Sequence, residues 1–292
     1  MKVLNIGSLN LDYVYSVPHI VKPGETISSL DMNIYLGGKG INQSIALAKA
    51  GADVYHCGMI GTDGDVFIDA CKEYGVNYDY IKKIDSKTGH AIIQIDENAQ
   101  NCIMIYGGAN QQLTKEFVDS VLEHFEKDDI LLLQNEVNLI GYIVDKAYEK
   151  GMTIALNPSP YNDKLQSVDM EKIGIFLVNE VEGAQISGYT NPDDIISHIV
   201  EKNPDAKVVL TLGGDGAIYA DKEKTVKQPV FKVDAVDTTA AGDTFTGYFL
   251  EGLIEKMSIE EVLKMSAKAA SIAVTRKGAI PSIPYRKEVM YD

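Results

Sequence analysis

The sequence predicts an α/β protein of three layers, helix–sheet–helix, around a mainly parallel sheet to which a smaller β-sheet is appended. Short apolar runs alternate with amphipathic stretches of helical length. Each run stops at polar or glycine residues, as at Gln134-Asn135-Glu136, Asn157-Pro158, Asn179-Glu180-Val181-Glu182 and Gly213-Gly214-Asp215-Gly216. Two pairs of strand-like segments interrupt this rhythm in the first third of the chain. Strict strand–helix alternation gives a parallel sheet covered on both faces, with ligands beyond the carboxyl ends of its strands.

Composition bounds the reading. Of 292 residues, 45% are hydrophobic and 24% charged, the make-up of an ordinary soluble globular chain. No linker, repeat or low-complexity tract divides it, so one domain over residues 1–292 is expected. A net charge of −15 argues against nucleic acid or an anionic membrane as partner, since binding either depends on neutralising phosphates with Lys and Arg. ATP needs only a local cluster of donors and stays open. Cys57, Cys71 and Cys102 form no C-x-x-C pair, which points away from disulfides and zinc and toward a reducing cytoplasm. Neither a signal peptide nor a membrane-spanning run is expected.

In order, residues 3–6 read as a buried strand stopped by Gly7-Ser8. Asn10-Leu11-Asp12 lies just past its end. Asp12 is therefore a candidate substrate contact, beside the plainer reading of a turn-forming loop residue. Residues 13–17 and 27–36 read as strands about the turn Lys22-Pro23-Gly24-Glu25. Leu36-Gly37-Gly38-Lys39-Gly40-Ile41-Asn42-Gln43 then enters a helix at 44–50, ended by Gly51. Glycines before a helix admit close approach of a ligand, yet neither G-x-x-x-x-G-K-[ST] nor G-x-G-x-x-G is present. Asn42 can both donate to and accept from a sugar hydroxyl; Lys39 reads equally as a solvated charge.

A strand at 54–60 and a helix at 66–74 continue the alternation to the Gly75-Val76 turn. Residues 91–95 and 101–106 pair around Asp96-Glu97-Asn98, before Gly107-Gly108-Ala109-Asn110. With the first pair they make a small sheet, from about 12–36 and 90–107, whose edges need covering by substrate or a second subunit. Helices at 114–125 and 139–150 then alternate with strands at 130–133, 153–156, 175–178 and 208–212. Helices at 242–255 and 259–275 precede a turn at 276–282. None of His19, His56, His90, His124 and His198 lies in a ligand-like pair, so each reads as structural.

The stretch Val236-Asp237-Thr238-Thr239-Ala240-Ala241-Gly242-Asp243-Thr244-Phe245 carries the most chemistry. Ala240, Ala241 and Gly242 put little bulk before a helix whose first N–H groups lack internal partners, which suits a phosphoryl group. Asp243 would stand at the rim as a proton acceptor, or serve only as a first-turn acidic residue.

Gly37-Gly38-Lys39-Gly40-Ile41-Asn42-Gln43 and Val236 through Phe245 resemble, in order, the two signatures of the ribokinase-like (PfkB) sugar kinase family. The first has the form found in its ribose-phosphorylating members. Pro23-Gly24-Glu25-Thr26, Gly107-Gly108-Ala109-Asn110 and Thr275-Arg276-Lys277-Gly278-Ala279 fit as well, so the resemblance covers nearly the whole chain. It implies a ribokinase-like fold with a small β-sheet lid, and an ATP-dependent kinase for a free sugar, D-ribose first. Another pentose, a ketohexose or a nucleoside is the alternative substrate. A non-catalytic sugar or nucleotide sensor and a Rossmann dehydrogenase are the other classes; the intact Gly242-Asp243 and the missing dinucleotide fingerprint argue against them.

By this resemblance Asp243 is the base, and the backbone of Ala240, Ala241 and Gly242 the anion hole. Asn10, Asp12, Gly38, Lys39, Gly40, Asn42 and Glu136 match the sugar-binding positions, and Asn135 is a candidate tuner of sugar preference. Asn179 and Glu182 match the element that organises Mg²⁺ and phosphate, largely through water. Thr211, Gly213, Gly214, Asp215 and Gly216 match the nucleotide loop. Asp237, Thr239, Ala273, Arg276, Gly278 and Ser282 match the shell of a monovalent cation, usually K⁺. A cytoplasmic homodimer through the lid sheets is implied.

Overall fold

The computed structural model describes residues 1–98 and 100–290. The chain opens with β1 (Val3–Ile6), β2 (Asn10–Ser16), β3 (Asp31–Gly37), α1 (Lys39–Ala50), β4 (Val54–Ile60) and α2 (Asp65–Tyr74). Then come β5 (Asn77–Lys83), β6 (Gly89–Ile95), β7 (Asn101–Tyr106), α3 (Lys115–Leu122), β8 (Ile130–Gln134), α4 (Ile140–Glu149) and β9 (Thr153–Asn157). They are followed by β10 (Ile175–Asn179), α5 (Glu180–Ser187), α6 (Pro192–Lys202), β11 (Lys207–Thr211), β12 (Ala217–Ala220) and β13 (Thr225–Gln228). Helices α7 (Ala241–Ile254), α8 (Ile259–Ala273) and α9 (Arg286–Met290) end the described chain.

Nine strands form one sheet in the order β13-β12-β11-β10-β9-β8-β1-β4-β5. Every pairing from β11 to β5 is parallel, and β12 and β13 run antiparallel at one edge. The central strands are apolar at successive positions because both faces are covered. Leu4, Ile6, Leu131 and Leu133 turn to one face, where they pack with Val118 of α3, Ile143 of α4 and Ile196 of α6. Val3, Ile130, Leu132 and Val209 turn to the other, against Ile45 of α1, Phe249 of α7 and Leu263 of α8. This is the expected three-layer arrangement.

Helices α1 and α7 approach closely: a Cβ on Gly247 would lie 2.5 Å from that of Ala46. Each helix begins at a positive-φ residue, Gly38 with φ 97° and Ala240, in the left-handed region, with φ 59°. For alanine that conformation costs on the order of 1 kcal/mol, and such strain concentrates at functional sites.

The remaining strands form a second sheet in the order β3-β2-β6-β7. β2 pairs antiparallel with β3 and parallel with β6, and β7 pairs antiparallel with β6. Its boundaries correct the sequence reading. Asn10-Leu11-Asp12 is the first part of β2 rather than a loop before it, and residues 27–30 lie outside β3. β5, α6 and the β12–β13 pair were not expected. β5 is an edge strand with polar residues throughout (Asn77, Asp79, Lys82, Lys83), so it lacks a buried strand's apolar run.

Candidate functional site

A cleft of about 1040 Å³ opens between the small sheet and the carboxyl ends of the central strands. The two glycine-rich segments meet there. Gly38, Lys39 and Asn42 enter from the start of α1, Asn10 and Asp12 from β2, and Glu136 from the residues after β8. Residues 240–243 enter from the start of α7, and Asn179, Glu182, Thr211, Asp237, Thr239 and Gly278 complete the predicted set in the cleft.

Asp243 is 6% exposed, and both its oxygens accept amide hydrogens: Oδ2 from Asn42 Nδ2 at 3.0 Å, Oδ1 from Gln43 Nε2 at 2.8 Å. The Ala241 N–H turns back to the Thr238 carbonyl at 3.3 Å, and Thr244 N–H closes on Ala240 O at 2.8 Å. The N–H groups of Gly242 and Asp243 are thus the first with no acceptor inside the helix. A Cβ on Gly242 would meet nothing within 4 Å, so this end of α7 is open to a ligand.

Asp12 and Glu136 are coupled to each other and partly withdrawn from water. Burial, with Glu136 adding its charge, pushes the Asp12 carboxyl up to about 7. Burial also raises Glu136, against a hydrogen bond from Ser8 Oγ and the nearby Lys39 ammonium. Lys39 N–H donates to Glu136 Oε2 at 2.9 Å. Burial disfavours the Lys39 ammonium, but Asp243, Glu136 and Glu182 more than offset this and hold its pKa above the ordinary value. Lys39 is therefore coupled to carboxylates on both halves of the cleft. Asn10 is placed by Asn110, whose Nδ2 donates to Asn10 Oδ1 at 2.7 Å.

Asn179 and Glu182 form a capping box: Asn179 Oδ1 accepts the Glu182 N–H at 2.9 Å, and Glu182 Oε2 accepts the Asn179 N–H at 3.1 Å. Glu182 Oε1 takes Asn179 Nδ2 at 3.1 Å. Each Glu182 oxygen thus accepts one hydrogen bond from Asn179 and keeps a lone pair in the wall of the cleft.

Asp237 holds two segments together, accepting Thr239 N–H on Oδ1 and Gly278 N–H on Oδ2, each at 2.9 Å. Burial opposes its ionisation, but these bonds and Lys277 prevail and keep the carboxyl below its usual range. Ser282, fully buried, spends its hydroxyl hydrogen on Ala279 O at 2.7 Å and keeps its lone pairs. One ionised carboxylate among hydroxyl and carbonyl oxygens is a hard, weakly charged donor set, which fits a monovalent cation.

Several sequence candidates lie outside the cleft. Gly40 does not line it; its hydrogen faces the backbone of Gly7 and Ser8, which leaves no room for a Cβ. Gly213 through Gly216 are also outside the lining, and Gly216 is needed where β13 crosses close by. Ala273, Arg276 and Ser282 stand behind the wall formed by Lys277, Gly278, Ala279 and Pro281. Arg276 pairs instead with Glu288 at 2.6 Å, and the Ala273 carbonyl accepts Arg276 N–H at 3.0 Å. Asn135 donates to Pro160 O at 2.6 Å and does not line the cleft, so it has no contact through which to tune sugar preference. The sequence reading missed Gln43 as a partner of Asp243, and Val14, Ile93, Ile103 and Ile105 as the apolar wall supplied by the small sheet. The period-two spacing of Ile93 with Ile95 and of Ile103 with Ile105 was the available signal.

The chain matches the model of the "pfkB family carbohydrate kinase" over residues 1–286. It is 35% identical over 297 residues to a ribokinase of Haemophilus influenzae, covering 98% of this chain and 96% of that one. A deoxyribokinase of Salmonella typhi is 32% identical over 299 residues, covering 97% and 96% respectively. The structure of Arabidopsis thaliana ribokinase complexed with ribose and ATP superposes with a TM-score of 0.88 at 30% identity, covering 99% of this chain and 97% of that one.

Proposed function

The chain belongs to the pfkB family of carbohydrate kinases and is an ATP-dependent sugar kinase of the ribokinase type, and we propose that it converts D-ribose and ATP to ribose 5-phosphate and ADP. One observation carries the reading: Asp243 lies at the open start of α7 while bonded to Asn42 of the sugar-side segment, so base, anion site and sugar contacts share one cleft.

Asp12, Glu136, Asn10 and Asn42 orient the sugar hydroxyls, with Gly38 and Lys39 beside them. The sugar's primary hydroxyl attacks the γ-phosphorus of ATP, the bond to the bridging β–γ oxygen breaks, and ADP departs. Asp243 takes the hydroxyl proton. In a loose phosphoryl-transfer transition state that proton leaves late, so an ordinary carboxylate suffices. The backbone around Ala240, Ala241 and Gly242 receives the growing charge of the phosphoryl oxygens, with the N–H groups of Gly242 and Asp243 as its free donors. Thr211 and the loop from Gly213 to Asp215 and Gly216 hold the nucleotide. Asn179 and Glu182 would act toward Mg²⁺ and phosphate through water, and Asp237 and Thr239 with the backbone from Ala273, Arg276 and Gly278 to Ser282 would hold K⁺. When bound, the two cations add positive potential at the transferring phosphate.

On this reading residues 1–292 are one kinase domain, and the small sheet closes over the sugar to exclude water. β7 exposes Ile103, Met104, Ile105 and Tyr106 at 51 to 63%, which supports a homodimer that covers this edge. No helix among the described residues is long and apolar enough to cross a membrane, and three free cysteines suit a reducing cytoplasm. The Salmonella relative favours 2-deoxyribose as a second reading.

Coupled ADP release over a panel of D-ribose, 2-deoxyribose, D-fructose and nucleosides is the test. D-Ribose should give the highest kcat/KM. Faster turnover of a nucleoside, or binding without turnover of any sugar, overturns the proposal.

A further inference from the structure

Beneath Asp243 runs a file of buried polar side chains that the reaction itself does not touch. Asn5, Gln43, Ser44, His56 and Gln134 are all fully buried, and they come from β1, α1, β4 and β8. Gln43 can turn either its NH₂ or its carbonyl toward Asp243, and only the NH₂ is compatible with an ionised base. The neighbours decide which. Gln134 Nε2 donates to Gln43 Oε1 at 2.6 Å and to Asn5 Oδ1 at 3.0 Å, which uses both its hydrogens. Asn5 Nδ2 spends its own on Gly40 O at 2.7 Å and Ser44 Oγ at 2.8 Å. The Ser44 hydroxyl lies 2.8 Å from His56 Nδ1, which accepts its hydrogen when the imidazole carries its proton on Nε2.

Each amide is therefore oriented by the next, and the file begins at an imidazole that offers a lone pair at Nδ1. We propose that Gln43 is a positioning residue for Asp243, and that Gln134, Asn5, Ser44 and His56 set its polarity so that an N–H always faces the base. This rests on the reading of Asp243 as the base. Burying polar groups beside the core is costly where they go unpaired, and in this sense only Gln134 Oε1 and His56 Nε2 of the five side chains' polar atoms stay without a partner; reversing Gln43 or Gln134 would set two acceptors face to face. Burial supports that sense by holding His56 neutral, with its pKa down at about 3. The donor on Oδ1 and that of Asn42 on Oδ2 together stop the carboxylate turning about its Cβ–Cγ bond.

The test compares kcat–pH profiles of the wild type, Gln43→Met, Gln134→Met and Asp243→Asn. Binding of a non-hydrolysable ATP analogue reports on folding. Gln43→Met should lose at least tenfold in kcat, keep KM for sugar and ATP within threefold, and move its acid limb to higher pH. Gln134→Met, which removes no atom in contact with Asp243, should show the same pattern more weakly, and keeps the test open if Gln43→Met does not fold. A folded Gln43→Met or Gln134→Met with wild-type kcat and an unmoved acid limb overturns the positioning role. An active Asp243→Asn overturns the base itself, so the two failures are distinct.

Discussion

Asn42 and Asp243, 201 residues apart in sequence, meet through an Nδ2–H···Oδ2 bond of 3.0 Å. The bond links the first turns of α1 and α7, so the side chain proposed to address the sugar also holds the proposed base. Removing the charge but not the shape of Asp243 should therefore separate binding from chemistry. Asp243→Asn is expected to lower kcat about a thousandfold or more, since the hydroxyl loses its proton acceptor while the helix terminus stays. Coupled ADP release gives the rate, and calorimetry should find ATP affinity changed by less than about threefold.

Asp12 gives a pH dependence. Its carboxyl stands at about 7 in the folded protein against 3.8 ordinarily. Because the folded state favours the protonated form, the stability this provides is present below pH 3.8 and is lost as pH rises through about 7. Asp12→Asn should thus raise the melting stability of the ligand-free protein at pH 8, by roughly 1–3 kcal/mol. The same change should raise KM for the sugar at least tenfold, as the ionised group accepts hydroxyl hydrogens. In the wild type, KM should fall as pH rises from 6 to 8, and in the variant it should not.

The Asp237 clasp predicts a cation requirement. Rates should be low in Li⁺ or Na⁺ and rise on titration with K⁺. Asp237→Ala frees the Thr239 and Gly278 N–H groups, and should cut the K⁺-stimulated rate about tenfold or more with KM for the sugar little altered. Equal rates in the three salts would remove the cation from the site.

His56 makes the fold acid-sensitive. Its pKa of about 3 lies below the 6.5 of an exposed imidazole, so the unfolded chain takes up a proton that the folded chain refuses. The resulting stability is complete above pH 6.5 and is lost as pH falls toward 3. Between pH 7 and 4.5 the urea midpoint should drop by the equivalent of about 2–3 kcal/mol from this group. His56→Asn, which keeps an acceptor for Ser44, should show a smaller drop over the same interval.

Legibility in the sequence followed burial and locality. Strands β1, β8, β10 and β11 could be read because both their faces are apolar and their polar ends come next in the chain. β5 and β13 lie at sheet edges, where half-exposed positions take Asn, Lys and Gln, and no apolar run marks them. Asp243, Lys39, Asn42 and Glu136 sit in or beside glycine-rich or strand-end segments, so local patterns exposed them. Gln43 and Gln134 stood in the same segments unremarked, because their partners come from separate elements and only the folded chain brings the amides together. Asn135 misled for the converse reason: a polar residue after a strand is spent on the neighbouring Pro160 carbonyl.

The contact of Gly247 with Ala46 has a consequence for how such an enzyme can be altered. It fuses α1 and α7 into one anvil that, on the proposed reading, carries both the base and the phosphate site, leaving no slack to re-aim either. Asn10 and Asp12 enter the cleft from a different body, the sheet of β2, β3, β6 and β7, which forms the adjustable jaw on the proposed reading. Changes of sugar preference are therefore best sought at Asn10, Asp12, Val14 and Ile93 on the jaw. The anvil is better left untouched, since a methyl group at 247 would displace both ends of the reaction at once.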